Sequence, residues 1–212
     1  MMTTDDLIAS LCADASPVRP GLLRRGVLAG LGLGGLLAGL AFAAFWGVRP
    51  DPGQILTPFL ALKSLLPALL AVMSVLLVLA HARPAGQSRA GSLIWGLPAC
   101  LAGLAGLAFV VTPPGDRMAE FLGSSIATCL SSIPMLSAPI LAGLLLGLRR
   151  GAPEHPARCG AVAGLAAGGA GAALYSLFCT EDSPLFYGTW YVLAIALVAG
   201  FGAIAGRRLL RW

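Results

Sequence analysis

The sequence predicts an all-α, polytopic membrane protein with six transmembrane helices and both termini in the cytoplasm. Three observations carry this. Hydrophobic residues make up 58% of the 212 and charged residues only 11%, with a mean hydropathy of +0.87. A soluble surface needs roughly 25% charged residues, so a soluble domain is excluded, and low charge with high apolar content excludes disorder. Six apolar runs are separated by short polar or Gly/Pro-rich segments, and the basic residues concentrate in alternate connections. That placement makes the net charge of +5 a topological signal, with no direct nucleic-acid contact expected.

The chain divides into a cytoplasmic segment 1–26, a transmembrane domain 27–206 and a basic tail 207–212. Within Thr4–Ala15, Leu7, Ile8 and Leu11 fall at i, i+1 and i+4 on one face of a short helix that Thr3 or Thr4 can cap. Asp5, Asp6 and Asp14 make it acidic. Such a segment is marginal alone and suited to folding on a partner, although an uninvolved frayed tail also fits the residues. A spanning helix needs about 20 apolar residues, and the qualifying runs are 27–46, 59–80, 92–111, 125–148, 160–178 and 186–206. The first run is too long for a signal-peptide core and is expected to stay as an anchor. The third is shortened by Pro98, the fourth is polar at its start, and the fifth is weakly hydrophobic because it is mostly Ala and Gly. Four or five spans result if a weak run is re-entrant.

Arg19, Arg24, Arg25, Arg83, Arg89, Arg149, Arg150, Arg158, Arg207, Arg208 and Arg211 fall on one face, which assigns it to the cytoplasm. Arg49 and Arg117 lie opposite, and Lys63 is placed to snorkel towards them. Trp46, Trp95, Phe186, Tyr187, Trp190 and Tyr191 lie near span ends, where aromatic side chains anchor in the headgroup layer. Glycines four apart (Gly30/Gly34, Gly35/Gly39, Gly160/Gly164/Gly168 and Gly202/Gly206) predict close helix contacts within the bundle, with self-association or a conduit as the other uses. Pro67, Pro98, Pro134 and Pro139 predict kinks, with Ser131, Ser132 and Ser137 available to re-satisfy carbonyls in the fourth span.

The runs carry no interior Asp, Glu, Arg or His, which argues against an ion-coupled transporter. A P-loop, a filter-like repeat and a His/Glu hydrolase motif are absent. Of the five cysteines, Cys12 falls in the tail, Cys100 in the third run and Cys159 at a cytoplasmic boundary, whereas Cys129 and Cys179 sit at matched depth near the outer ends of the fourth and fifth runs. A disulfide, a soft-metal site and two unrelated small apolar residues all fit that placement. The loop Cys179-Thr180-Glu181-Asp182-Ser183-Pro184 adds two carboxylates suited to cation capture, while Asp182 or Ser183 is placed to cap the sixth helix.

At these residues the chain resembles a proteobacterial family formerly of unknown function, the six-span negative regulators of an extracytoplasmic-function sigma factor. The resemblance rests on Thr4-Asp5-Asp6-Leu7-Ile8, Pro17-Val18, Cys129 with Ile133-Pro134, and Arg149 through Pro153. Its most specific part is Tyr175 through Cys179 followed by Glu181 through Phe186, Trp190-Tyr191 and Gly206-Arg207-Arg208. Similar proteins often carry histidine just before the second outer cysteine; here Phe178 takes that place, which removes an imidazole ligand. The resemblance implies no enzyme activity, no resident cofactor, a place in the bacterial inner membrane and a cytoplasmic sigma-factor partner. It implies that Cys129 and Cys179 respond to oxidative or heavy-metal stress, with transient metal binding as one form of the signal. Asp5, Asp6, Leu7, Ile8 and Leu11 are the expected sigma-binding residues. A membrane thiol-redox enzyme and an assembly subunit of a membrane complex are the alternatives, the first weakened by the lack of a CxxC pair.

Overall fold

The structure, a computed structural model, describes residues 3–14, 21–50, 58–83 and 96–211. Arg19, Pro17, Val18, Arg89 and Trp95 lie outside the described residues. Eight helices occur among those described: α1 (Thr4–Asp14), α2 (Leu22–Phe45), α3 (Pro58–His81), α4 (Gly96–Val111), α5 (Arg117–Leu122), α6 (Ile126–Leu148), α7 (Pro156–Ser176) and α8 (Pro184–Leu209). Each predicted run corresponds to one of them within a few residues. Five stretches are long and apolar enough to cross a membrane: α2, α3 from Ala61, α5 with α6, α7 and α8. The third run differs, because α4 has 16 described residues. At 1.5 Å per residue that is about 24 Å, short of a hydrocarbon core of about 30 Å.

Glycine sets which helices touch. An added Cβ at Gly30 would run into the Gly143 backbone, and one at Gly34 would stand 2.5 Å from the Pro139 carbonyl. With Gly26 against Gly147, these positions hold α2 along α6. Gly160 and Gly164 likewise meet Gly202, Gly206 and Ala199, joining α7 to α8. Gly169 faces Pro67 and Ala71 of α3, while Gly171 faces Ser137 of α6. Helix α7 is therefore the hub, packed by α3, α6 and α8. Its weak hydrophobicity follows: a helix surrounded by other helices needs small residues for close approach more than large apolar ones for lipid. Gly35 and Gly39 depart from the expected internal packing, since an added Cβ at either meets open space.

Two apolar clusters fill the bundle. One, around Val27, Val78, Leu144, Leu148, Cys159 and Ala163, lies at the end where α2 and α7 begin and α3, α6 and α8 finish. The other contains Phe42, Cys129, Ile133, Tyr175, Cys179, Phe186 and Tyr191 at the opposite end. The aromatic expectation is corrected here. Phe186, Tyr187 and Tyr191 are buried core residues, and Trp46 donates its indole N–H to Ser132 Oγ at 3.0 Å, tying α2 to α6. Trp190 donates to the Phe121 carbonyl at 2.8 Å. Large rings bury much apolar area each, so they serve better inside the bundle than at its surface.

Helices α3 and α6 run unbroken through Pro67, Pro134 and Pro139. The serines act differently from expectation: Ser131 donates to the Ala127 and Thr128 carbonyls and Ser137 to Ile133, one turn back from each serine. None of these is the carbonyl four residues before a proline, so the hydroxyls do not replace the bonds the prolines remove.

Candidate functional site

Two regions carry the residues of interest. The first is α1. Thr3 and Asp6 form a reciprocal cap, with Thr3 Oγ1 accepting from the Asp6 amide at 3.3 Å and Asp6 Oδ2 accepting from the Thr3 amide at 3.0 Å and its hydroxyl at 2.6 Å. Those bonds from the Thr3 hydroxyl and amide hold the Asp6 carboxyl below its usual range. The cap starts the helix where the sequence allowed it and assigns that role to Thr3. Beyond it, Leu7, Ile8 and Leu11 are 44%, 54% and 63% exposed. The structure thus brings these three to one uncovered apolar face, with Asp5 alongside in the first turn and Asp6 occupied by the cap.

The second region is the end of the bundle where α6 and α8 begin and α7 finishes. Cys129 lies in the first turn of α6, and Cys179 follows the end of α7, its amide donating to the Tyr175 carbonyl at 3.0 Å. Both are free thiols, both are buried, and both belong to one cluster with Tyr175, Tyr187 and Tyr191. The Tyr175 and Tyr191 rings meet at a tilt of 55°, with 5.8 Å between their centroids. Cys12 and Cys100 are exposed, and Cys159 is buried at the other end.

The loop bearing Cys179 is tied to four elements. Lys63 of α3, 2% exposed, directs its ammonium at the Cys179 carbonyl (2.8 Å), the Glu181 carbonyl (2.6 Å) and Asp182 Oδ1 (3.2 Å). It does not snorkel to water, because the loop itself closes over it. Arg49 follows the turn made by Gly47 (φ 74°) after α2; its guanidinium grips Asp182 at 3.0–3.3 Å and its amide donates to the Leu177 carbonyl at 3.0 Å. Glu181 accepts from the Ser124 amide and hydroxyl, both at 2.8 Å, and these bonds lower its pKa. Gly123 (φ 53°) makes the turn there, where a Cβ would strike the Phe186 ring. Ser183 caps α8 by accepting from the Leu185 amide at 3.3 Å and donates to Glu120 Oε2 at 2.9 Å.

These contacts decide between the roles open to the loop. Ser183 is the cap; Asp182 is an ion-pair partner. The cations that the Asp182 carboxylate captures are the protein's own Arg49 and Lys63, while the Glu181 carboxylate is taken up by Ser124 and Ser125. Among the described residues no three of His, Cys, Asp and Glu gather as metal ligands, so a soft ion would find two thiols and no third donor of that kind. The roles of Arg49 and Lys63 were missed in the sequence. The signal was present: a lone charge inside an apolar run requires a partner, and Asp182 lies at matching depth.

The family model for negative regulators of sigma F, NrsF, matches residues 11–212. The chain is 38% identical over 215 residues to the anti-sigma-F factor NrsF of Caulobacter vibrioides (strain NA1000 / CB15N). It is 34% identical over 214 residues to a protein of Azospira oryzae named "Probable anti-sigma-F factor NrsF". Both alignments cover all of this chain and all of the relative. No solved structure matches. These are regulators of a sigma factor and not enzymes, which sets aside the thiol-redox enzyme. The chain belongs to the family of negative regulators of sigma F.

Proposed function

We propose that the chain is an anti-sigma factor of the bacterial inner membrane that holds an extracytoplasmic-function sigma factor through α1 and releases it under oxidative or heavy-metal stress. The observation that carries the sequestering role is the uncovered apolar face of α1, set on a chain similar over its full length to two anti-sigma-F factors. In this account α2, α3, α4, α6, α7 and α8 are the six spans. The end bearing Arg24, Arg25, Arg83, Arg149, Arg150, Arg158, Arg207 and Arg208 faces the cytoplasm, as the bias of basic residues favours. The 16 described residues of the α4 span are then accommodated by local thinning of the bilayer.

Binding of α1 follows from ordinary energetics. Eleven residues make too short a helix to persist alone in water, and burying Leu7, Ile8 and Leu11 contributes about 1.5–3 kcal/mol per side chain before ordering costs. The acidic first turn suits a basic face on a DNA-binding partner. The signal acts at Cys129 and Cys179. A disulfide or a bridging soft ion draws the Cys179 loop towards α6, and the Lys63 and Arg49 contacts pass that movement to α3 and to the end of α2. Coupling requires only that the two thiol states differ in affinity for the sigma factor. Self-association is a separate expectation, for which the open Gly35/Gly39 face is suited.

A sigma-dependent transcription reporter tests both halves. Leu7→Asp with Leu11→Asp is expected to give constitutive transcription at normal membrane levels of the protein. Cys129→Ser with Cys179→Ser is expected to keep repression and abolish induction by oxidant or cadmium. Full induction in the double serine variant refutes the sensing role, and full repression by the aspartate variant refutes the role of α1.

A further inference from the structure

The end of the bundle away from Cys129 and Cys179 carries a cavity that neither the sigma factor nor that thiol pair accounts for. It lies where α3 finishes and α7 begins, has a volume of about 130 Å³, and is lined by His81, Arg83, Glu154, His155 and Arg158. A water needs only about 10–15 Å³ of such space, so a tetrahedral oxyanion fits with hydrating waters around it. Two guanidiniums and two imidazoles surround a single carboxylate, and Glu154 has an interaction of its own. The lining is therefore net positive even with both histidines neutral.

Its walls are fixed by backbone contacts. The Ala152 amide donates to the Ala82 carbonyl at 3.1 Å, and Gly151 packs on that same carbonyl, which docks the α6–α7 connection on the end of α3. His81 Nδ1 lies 3.0 Å from the Leu77 carbonyl. A carbonyl only accepts, so Nδ1 carries the proton and Nε2 is left to meet a ligand. Helix α7 opens with His155 as N-cap and Pro156 in its first turn, and no side chain caps its amides. The helix dipole adds to the positive field there.

We propose that this cavity binds a phosphate group, and that the headgroup of an anionic phospholipid supplies it. Arg83 and Arg158 provide bidentate donors that match phosphate oxygens, His155 can offer a ring N–H, and His81, whose Nδ1–H is given to Leu77, donates from Nε2 only as an imidazolium. The lipid source rests on the membrane account above, since His81 closes one apolar helix and Arg158 lies in the first turn of another, at headgroup depth. The phosphate chemistry rests on the lining alone.

The test uses the full chain purified in a neutral maltoside detergent. Thermal unfolding is followed with added phosphatidylglycerol, phosphatidylcholine, inorganic phosphate, and acetate at matched ionic strength. At about a hundredfold excess over Kd, a specific ligand raises the midpoint by about 5–10 °C for a chain of this size. Phosphatidylglycerol is expected to do this, and Arg83→Gln with Arg158→Gln to abolish it. Both residues lie at the surface, so the variant is expected to fold; native mass spectrometry of retained phospholipid gives a second readout on the same samples. A response to phosphatidylglycerol alone, or to it and to inorganic phosphate, supports the site. A response to inorganic phosphate alone supports the phosphate chemistry and overturns the lipid source. No response to either, or equal responses in wild type and variant, overturns the proposal whatever the sigma factor does.

Discussion

Lys63→Met removes the ammonium that holds the Cys179 loop while keeping most of the side-chain volume, so little packing is lost. Three hydrogen bonds disappear, two of them to backbone carbonyls at 2.6 and 2.8 Å. Breaking one side of a buried ionic contact costs about 3–5 kcal/mol, and leaving a buried acceptor unpaired costs about 1–3 kcal/mol. These overlap. Asp182 also keeps Arg49 and is 30% exposed on its side chain, which lowers the cost. A net loss of about 3 kcal/mol is expected. At about 2–4 °C per kcal/mol for this length, the melting midpoint falls by about 6–12 °C. Tryptophan fluorescence of the detergent-solubilised protein measures it. Adding Asp182→Asn closes a double-mutant cycle, with a coupling of about 1 kcal/mol or more expected for direct partners. A midpoint within about 2 °C of wild type, with no coupling, refutes the argument that Lys63 clamps this loop.

The glycine contacts give an internal contrast. Gly30→Ala pushes a methyl group into the Gly143 backbone and is expected to cost about 1–3 kcal/mol, whereas Gly35→Ala meets open space and gains about 0.5–1 kcal/mol of helix propensity. Comparing the two melting midpoints checks this; equal effects contradict the α2–α6 packing. Glu181 supplies a pH test. Its folded-state pKa lies below the ordinary glutamate value of 4.5 because the Ser124 amide and hydroxyl bond the carboxylate. Its stabilisation is therefore complete above about pH 4.5 and is lost as pH falls through the lower folded value. Melting midpoints recorded downwards from pH 6 should fall less steeply in Glu181→Gln; superimposable curves refute the assignment.

Helix positions were legible because apolar runs of spanning length leave the chain few alternatives, and the glycine faces of α7 and α8 followed from four-residue spacing. What the spacing did not show is which glycine faces find a partner. Gly30/Gly34 and Gly35/Gly39 are alike in sequence, yet only the first pair meets α6. The aromatic residues near Tyr187 misled because span ends can also be core where a loop folds over them. At the candidate site, Cys129 and Cys179 were visible as a pair at one depth, and Leu7, Ile8 and Leu11 as one face. The clamp on Asp182 was not, because it joins Arg49, Lys63 and Asp182 from three separate elements. Tertiary ion pairs of this kind leave no periodic trace; the one clue was a lysine in an apolar run.

The central claim is that α1 holds a sigma factor. Crosslinked affinity purification from native membranes, comparing the full chain with one lacking residues 2–20, tests it most directly. Recovery of a sigma factor with the full chain and its loss with the truncated one is the predicted result. Undiminished recovery after truncation contradicts the role of α1, and absence of a sigma factor from both, with each protein present in the membrane, contradicts sequestration itself.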